Sequence, residues 1–390
     1  PESSGGEAAA PEAATALAVP SPRGLPAPHL RAAARHAVAA GNLLRERGSG
    51  RPARAQLTRL AAGEEGTETE LEETDGVKYL APLDYSLEEL TPAEGAQVMP
   101  CFPLGGNTYL PYTEQVLNIF EPRYRQMYSD ILLSGGRRFV VPQAVQDEET
   151  GGVRLAEVGV VFYLDDLREV SEQTQDQVKY VCTHKLIGRV HLRRVLNPKA
   201  FADRSTYLRV EVEDVVDTDA EQDLSKVEDE LLCEVLKVAN LQVAAKAEVR
   251  FDEELLKQRN VSRGAGFWSL VSIWQGYLAR RAQLREQEFK AAIRKEVMDF
   301  LEKEKSDIPR QVVLSELPEE VQRSVAKLQA QFQEDVEPLV KAQTTPVQEL
   351  VQSDSHRNRL ARFKAMVETE KNSLKARLAL QSLFEKSEDE

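Results

Sequence analysis

Cysteine is scarce in this chain. There are three in 390 residues, Cys101, Cys182 and Cys233, and none sits in a C-x-x-C pair. That excludes a disulfide framework and leaves buried, reduced thiols as the reading. Cys182, His184 and His191 lie close together, but their spacing fits no zinc-ligand pattern, and no second Cys/His cluster supplies a fourth ligand. Alternation in that stretch makes them ordinary facing residues of a strand. Neither a metal nor a cofactor is expected. Long apolar runs are absent too, since none approaches the roughly 20 residues that a membrane-spanning helix needs. An excess of basic charge is also missing. With 64 acidic against 50 basic residues the formal net charge is −14. This argues against a nucleic-acid partner, because phosphate contacts require a basic face.

Aromatic residues are missing from the first 62 positions. From Arg23 to Arg59 there are eight arginines and a single acid, Glu46. A segment of this kind cannot bury enough apolar surface to offset the entropy of ordering it. Its Arg-rich, acid-poor composition ahead of an acidic body resembles an organelle transit peptide. Residues 63–75 reverse the charge and read as a solvated acidic linker. The expectation for 1–75 is therefore a disordered basic leader followed by that linker, with 76–96 as a connecting segment.

From 97 to 218 the pattern is strand-like. Four runs, 137–145, 151–170, 178–196 and 206–217, are rich in Val, Tyr and Leu and are separated by turn clusters such as Gly105-Gly106-Asn107 and Gly135-Gly136. Many short strands with one helix among them point to a closed or nearly closed β-barrel. After residue 219 the period becomes helical. A bundle is expected over 219–342, with one long helix at about 267–304 whose first half (Phe267, Trp268, Leu270, Val271, Trp274, Tyr277) is apolar enough to be buried. Further helices are expected at about 315–342 and 354–386, the last inside a charged C-terminal helix and tail, 343–390.

The stretch "LPYTEQVLNIFEPRYRQMYSDIL", 110–132, joins a strand-like run, Leu110 to Phe120, to a helix at Glu121-Pro122. Proline suits the first turn of a helix, where its missing N–H would have no partner. Glu121 places negative charge at the positive end of the helix dipole. Tyr124, Met127, Tyr128, Ile131 and Leu132 then recur at spacings of three and four, forming one buried face, and Arg123 is free to reach back to a carboxylate or a carbonyl.

Residues 101–132, "CFPLGGNTYLPYTEQVLNIFEPRYRQMYSDIL", resemble the opening of the Lon protease N-terminal, substrate-binding domain. The structural motif of that family is matched at Ile119, Phe120, Glu121, Pro122, Arg123, Tyr124, Arg125 and Met127. The likeness continues through "FVVP", "GVRLAEVGVVFYL", "HKLIGRVHLRRVL" and "YLRVEVEDVVD". It implies an α+β fold, a PUA-like β-barrel followed by an α-helical bundle with long C-terminal helices. Together with the leader, it is most similar to stand-alone plastid-type Lon-N proteins. The loop "GGNTYLPYTEQ" is longer and more polar than the family's usual phrase.

Full Lon proteases add an ATPase and a serine–lysine protease. No G-x-x-x-x-G-K-[ST] loop occurs in this chain, "SRGAGFW" (262–268) lacks the lysine, and no glycine-flanked serine has a partnering lysine motif. The expected function is thus non-catalytic binding of unfolded or extended polypeptide clients by an organellar adaptor or quality-control factor. Partners could include an organellar protease. The alternative is a scaffold docking a fixed assembly complex through its helices. The expected location is a plastid, with a mitochondrion or the cytoplasm as alternatives. Candidate polypeptide-binding residues are Phe102, Leu104, Tyr109, Leu110 and Tyr112, because loops at a barrel rim can expose aromatics that strands cannot.

Overall fold

A computed structural model describes residues 76–147, 151–259, 261–303 and 317–388, with side chains given as far as 383. The expected leader and acidic linker, 1–75, lie outside the described residues.

The strands are β1 (Gln97–Cys101), β2 (Glu114–Ile119), β3 (Arg138–Val141), β4 (Ala144–Gln146), β5 (Val153–Leu155), β6 (Val158–Glu169), β7 (Tyr180–Val195) and β8 (Leu208–Asp214). Six of them form one sheet in the order β2-β7-β6-β3-β1-β8, and β8 pairs back onto β7. Hence β7, β6, β3, β1 and β8 close a ring. β7 makes this possible by its length: along one edge its first half carries β2 (Glu114↔Lys185 to Ile119↔Tyr180) and its second half carries β8 (Val190↔Asp214 to Val195↔Val210). The ring interior is apolar, filled by Met99, Cys101, Val140, Val161, Val190, Leu192, Leu208, Val210 and Val212. Packing there is tight enough to require glycine at 159, where a Cβ would lie 2.6 Å from Val140 Cγ2.

The alternate residues of the same strands (Phe139, Val141, Val160, Phe162) face outward into a second core. Both faces of β3 and β6 are therefore buried, which accounts for their near-continuous apolar runs. Helix α1 (Pro122–Leu133) covers this outer face with Tyr124, Met127, Tyr128 and Ile131, all buried. A short α2 (Lys199–Asp203) follows β7. Then come α3 (Ser225–Ala244), α4 (Glu253–Lys257), α5 (Ala265–Lys303), α6 (Glu319–Gln352) and α7 (His356–Glu388). The buried first half of α5, from Phe267 to Leu278, belongs to the same core as the outer barrel face. Barrel and helices thus share one apolar interior.

A buried charge cluster locks the two layers together. On the barrel side are Arg189 of β7 and Asp217 and Asp219 of the segment after β8. Asp217 accepts from Arg189 (2.9 Å), Arg263 (3.3 Å) and Arg359 (2.7 Å). Asp219 accepts from Arg263 (2.8 Å) and from the backbone N–H groups of His356 (3.0 Å) and Arg357 (2.8 Å), so it caps α7 from outside the helix. Arg189 also donates to the carbonyls of Val351 and Ser353, and both Arg189 and Arg359 lie over the Trp268 ring. Burial and the nearby Arg359 bring Arg189 down to about 10, while the three guanidinium groups hold Asp217 below the usual carboxylate range despite its burial.

Four expectations are corrected. Cys233, expected to be buried, is exposed, and Leu132, expected on the buried face of α1, is 38% exposed. The run from Leu110 is a strand only from Glu114, because Pro111-Tyr112 forms a turn with Tyr112 at φ 59°. The expected division at 342/343 falls inside α6, which continues through Pro338 and Pro346. Carbonyls beside Pro346 accept side-chain donors there: Gln343 O takes Gln275 Nε2 and Thr344 O takes Thr108 Oγ1. These bonds tie that turn of α6 to α5 and to the loop before β2.

Candidate functional site: an open strand edge

Where β7 passes from β2 to β8, its two partners separate. Beyond that fork β2, β7 and the second half of β6 form a three-stranded extension with two open edges among the described residues. One is β6 after Leu164. It exposes Asp165, Asp166, Arg168 and Glu169 and carries a bulge between Leu164 and Asp166. Charge and a bulge are the usual protection of an open edge.

The other edge, β2, has no such protection. It pairs with β7 in an unbroken register, contains no proline or lysine, and has one charge, Glu114. The carbonyls of Thr113 and Ile119 accept from β7-side amides, and that of Gln115 accepts from the His184 ring. By the two-residue period of an antiparallel ladder, the backbones of Glu114, Val116 and Asn118 point away from β7. Of these groups, the Val116 carbonyl takes a bond from the neighbouring Gln115 Nε2 (3.2 Å).

The solvent face of this edge carries three large apolar side chains beside Glu114 and Asn118. Tyr112 is 55% exposed, Val116 49% and Phe120 44%. Ile187, the extra residue of a bulge in β7 opposite Val161/Phe162, is 40% exposed beside Tyr112, whose N–H donates to Leu186 O (2.6 Å). A bulge re-aims its side chain, and Tyr112 holds a left-handed backbone that an aromatic residue seldom adopts. Two local irregularities therefore bring two apolar side chains to the surface at one place.

The inner face of β2 is rigidly held. Leu117 and Ile119 are buried. His184 of β7, fully buried, has Nδ1 3.1 Å from the Gln115 carbonyl and Nε2 2.8 Å from the Tyr128 hydroxyl of α1. A carbonyl only accepts, so Nδ1 carries the proton and Tyr128 donates to Nε2. Burial lowers this imidazole to about 4, keeping it neutral. At the other end, Arg125 donates to Phe120 O (2.9 Å) and grips both carboxylate oxygens of Asp176, anchoring the strand end to the 171–177 turn.

The five residues expected to form an aromatic rim are dispersed. Leu110 is buried, at 3% exposure. Phe102 stacks on Tyr124 with ring centroids 3.7 Å apart, Tyr109 meets Phe162 edge-on, and Leu104 packs against the core. Only Tyr112 stands out. Their loop is pinned under the helices: Thr108 Oγ1 donates to Thr344 O of α6, and Gln275 of α5 donates to Thr108 O. Glu121 and Arg123 bond one another (2.9 Å), with the Arg123 guanidinium over Tyr124 and Phe201. Val116 and Phe120 were accessible to sequence reasoning, since they alternate with buried Leu117 and Ile119. Ile187 was not, because a bulge leaves no mark in the residue pattern.

A cavity of about 500 Å³ among α5, α6 and α7 is lined by Tyr277, Arg281, Arg285, Glu288, Glu370 and their neighbours. Its central groups satisfy one another: Glu370 accepts from Tyr277 (2.6 Å) and Arg281 (3.0 Å), and Glu288 accepts from Arg285 (2.6 Å). Among the described residues no group of three or more His, Cys, Asp or Glu side chains is placed to hold a metal ion.

The chain is thus an α+β barrel continued into helices that share its core, with the β2 edge of its sheet open among the described residues. Residues 98–387 match the family model of the ATP-dependent protease La (LON) substrate-binding domain. The chain belongs to this family, and the match runs through the helices as well as the barrel. Among solved structures, the N-terminal domain of Mycobacterium avium complex Lon protease is similar at 13% identity, covering 42% of this chain and 76% of that one, with a TM-score of 0.30. A Lon N-terminal domain protein from Xanthomonas campestris is 20% identical, covering 42% of this chain and 91% of that one, with a TM-score of 0.27. No curated protein matches the chain in sequence.

Proposed function

We propose that this chain is a non-catalytic protein that captures unfolded or extended polypeptide as an added strand on β2. The observation that carries the proposal is the contrast between the two open edges, one guarded by clustered charge and a bulge, the other of unbroken register with a single charge and three exposed apolar side chains. Strand addition supplies affinity through main-chain hydrogen bonds, and alternate side chains supply selectivity. Here those side chains are Tyr112, Val116 and Phe120, which favour clients with apolar residues at alternate positions. Membership of a family described as a substrate-binding domain supports polypeptide as the ligand. With no phosphate-binding loop and no glycine-flanked serine with a partnering lysine motif in the sequence, the role is that of an adaptor or quality-control factor in an organelle. A plastid is proposed on the Arg-rich composition of 1–75, and a fluorescent fusion of those residues reports it. The second reading, a scaffold, draws on Leu380 and Leu383 of α7, which are 56% and 63% exposed.

The test exploits the two-residue period. Val116→Pro removes an N–H that points away from β7, so the β2–β7 ladder keeps its bonds. Binding of a fluorescent extended peptide with alternating apolar residues should weaken at least tenfold, while the melting temperature changes by a few degrees at most. Unchanged peptide affinity in a folded variant would exclude β2 and turn attention to the helices.

A further inference from the structure

The β2 edge has a property that client binding does not require: it is complementary to itself. In an antiparallel pairing of two copies about a two-fold axis at Val116, residues whose numbers sum to 232 face one another. Val116 meets the partner's Val116. Glu114 meets the partner's Asn118, so the one charge on the strand avoids its own copy. Tyr112, in the turn before the strand, and Phe120, just past its end, leave an exposed aromatic side chain at each end of the contact. Had the charge stood at 116, the same pairing would set like charges opposite each other, which is destabilising. The outward backbone groups of Glu114, Val116 and Asn118 also alternate with the period such a ladder needs.

We propose that the chain self-associates through β2, forming a two-fold dimer in which β2 of each copy completes the other's open edge. An isologous contact of this kind closes on itself, so it stops at two copies. It also covers the surface on which a client strand would add. The dimer is then a resting state that clients displace, and this consequence rests on the function proposed above. The contact is small. Two six-residue strands meeting edge to edge fall below the roughly 1,200 Å² of a stable interface, so the dimer is weak enough to yield.

The register makes a prediction of opposite signs at one exposed position. Asn118→Lys sets two Lys–Glu114 pairs across the axis, and Asn118→Glu sets two Glu–Glu114 pairs. Sedimentation velocity of the full chain over a range of concentrations should show a reversible monomer–dimer equilibrium. Its dissociation constant should fall roughly twofold to thirtyfold with Asn118→Lys and rise by a similar factor with Asn118→Glu. Val243→Lys, an exposed change on α3, controls for overall charge and should leave the constant unmoved. A chain that stays monomeric at every concentration overturns the proposal, as does a dimer indifferent to both Asn118 substitutions. Peptide affinity measured at dilution keeps the two readings apart. A peptide that binds a strictly monomeric chain leaves the proposed function standing and removes the dimer. A dimer that responds to both charges while no peptide binds supports the dimer and removes the client reading.

Discussion

His184 shows how one buried side chain can hold an open strand edge in place. It bonds the β2 backbone on one side and α1 on the other, and it does so as a neutral ring. Burial lowers its value from the ordinary 6.5 to about 4. Between those limits the unfolded chain binds a proton that the folded chain refuses, so stability falls as pH drops from about 6.5 to 4. The slope is about 1.4 kcal/mol per pH unit, about 3 kcal/mol in all. His191 and His356, lowered chiefly by burial, add to the fall with the same sign. Denaturant unfolding of wild type and His184→Asn at pH 7.5 and 4.5 isolates the share of His184. The variant should lose less stability on acidification than wild type, and equal losses would count against the neutral buried ring. Sequence reasoning placed this histidine on a strand and found no metal role for it. Its partners, at 115 and 128, became visible only when β2 and α1 met over it.

At the scale of the element, β2 is defined by which of its backbone groups are used. The odd residues bond to β7 and the even ones face outward. Amide hydrogen exchange should therefore alternate along the strand in dilute protein, with Gln115, Leu117 and Ile119 slow and Glu114, Val116 and Asn118 fast. Uniform protection at dilution would mean that something else in the chain already covers the edge. The alternation of Leu117 and Ile119 with Val116 and Phe120 was legible in the sequence, and so was the helix that begins at Pro122. The turn at Pro111-Tyr112 and the bulge at Ile187 were not, since each depends on how neighbouring strands are drawn together.

Across the whole molecule, barrel and helices are coupled by the cluster around Asp217 and Asp219. Its members come from β7, the segment after β8, the approach to α5, the end of α6 and the start of α7, yet they meet in one buried group. Asp217→Asn removes the carboxylate that Arg189 and Arg359 share and leaves both without an ionic partner in a poorly solvated place, while Arg263 keeps Asp219. Loss of one partner from a buried ion pair typically costs about 3–5 kcal/mol. The variant should unfold at correspondingly lower urea, with barrel and helices melting together when followed by near-UV and far-UV circular dichroism. Separate transitions would show that the two layers are independent.

The sequence by itself determined the α+β order, the boundaries of α1 and α5 to within a few residues, and the family motif at Phe120–Tyr124. All of these rest on local periodicity and on the stereochemistry of proline, which need no distant partner. It also separated this chain from one carrying a phosphate-binding loop, since such a loop is a contiguous motif. Tertiary structure decided which apolar residues are exposed. Phe102, Tyr109 and Leu110 are as aromatic or apolar as Tyr112 and Phe120, but Phe102 stacks on Tyr124 of α1, Tyr109 meets Phe162 and Leu110 is buried, while Tyr112 and Phe120 stay in solvent. The open edge was decided in the same way, because a strand lacks a second neighbour only once the course of every other strand is settled.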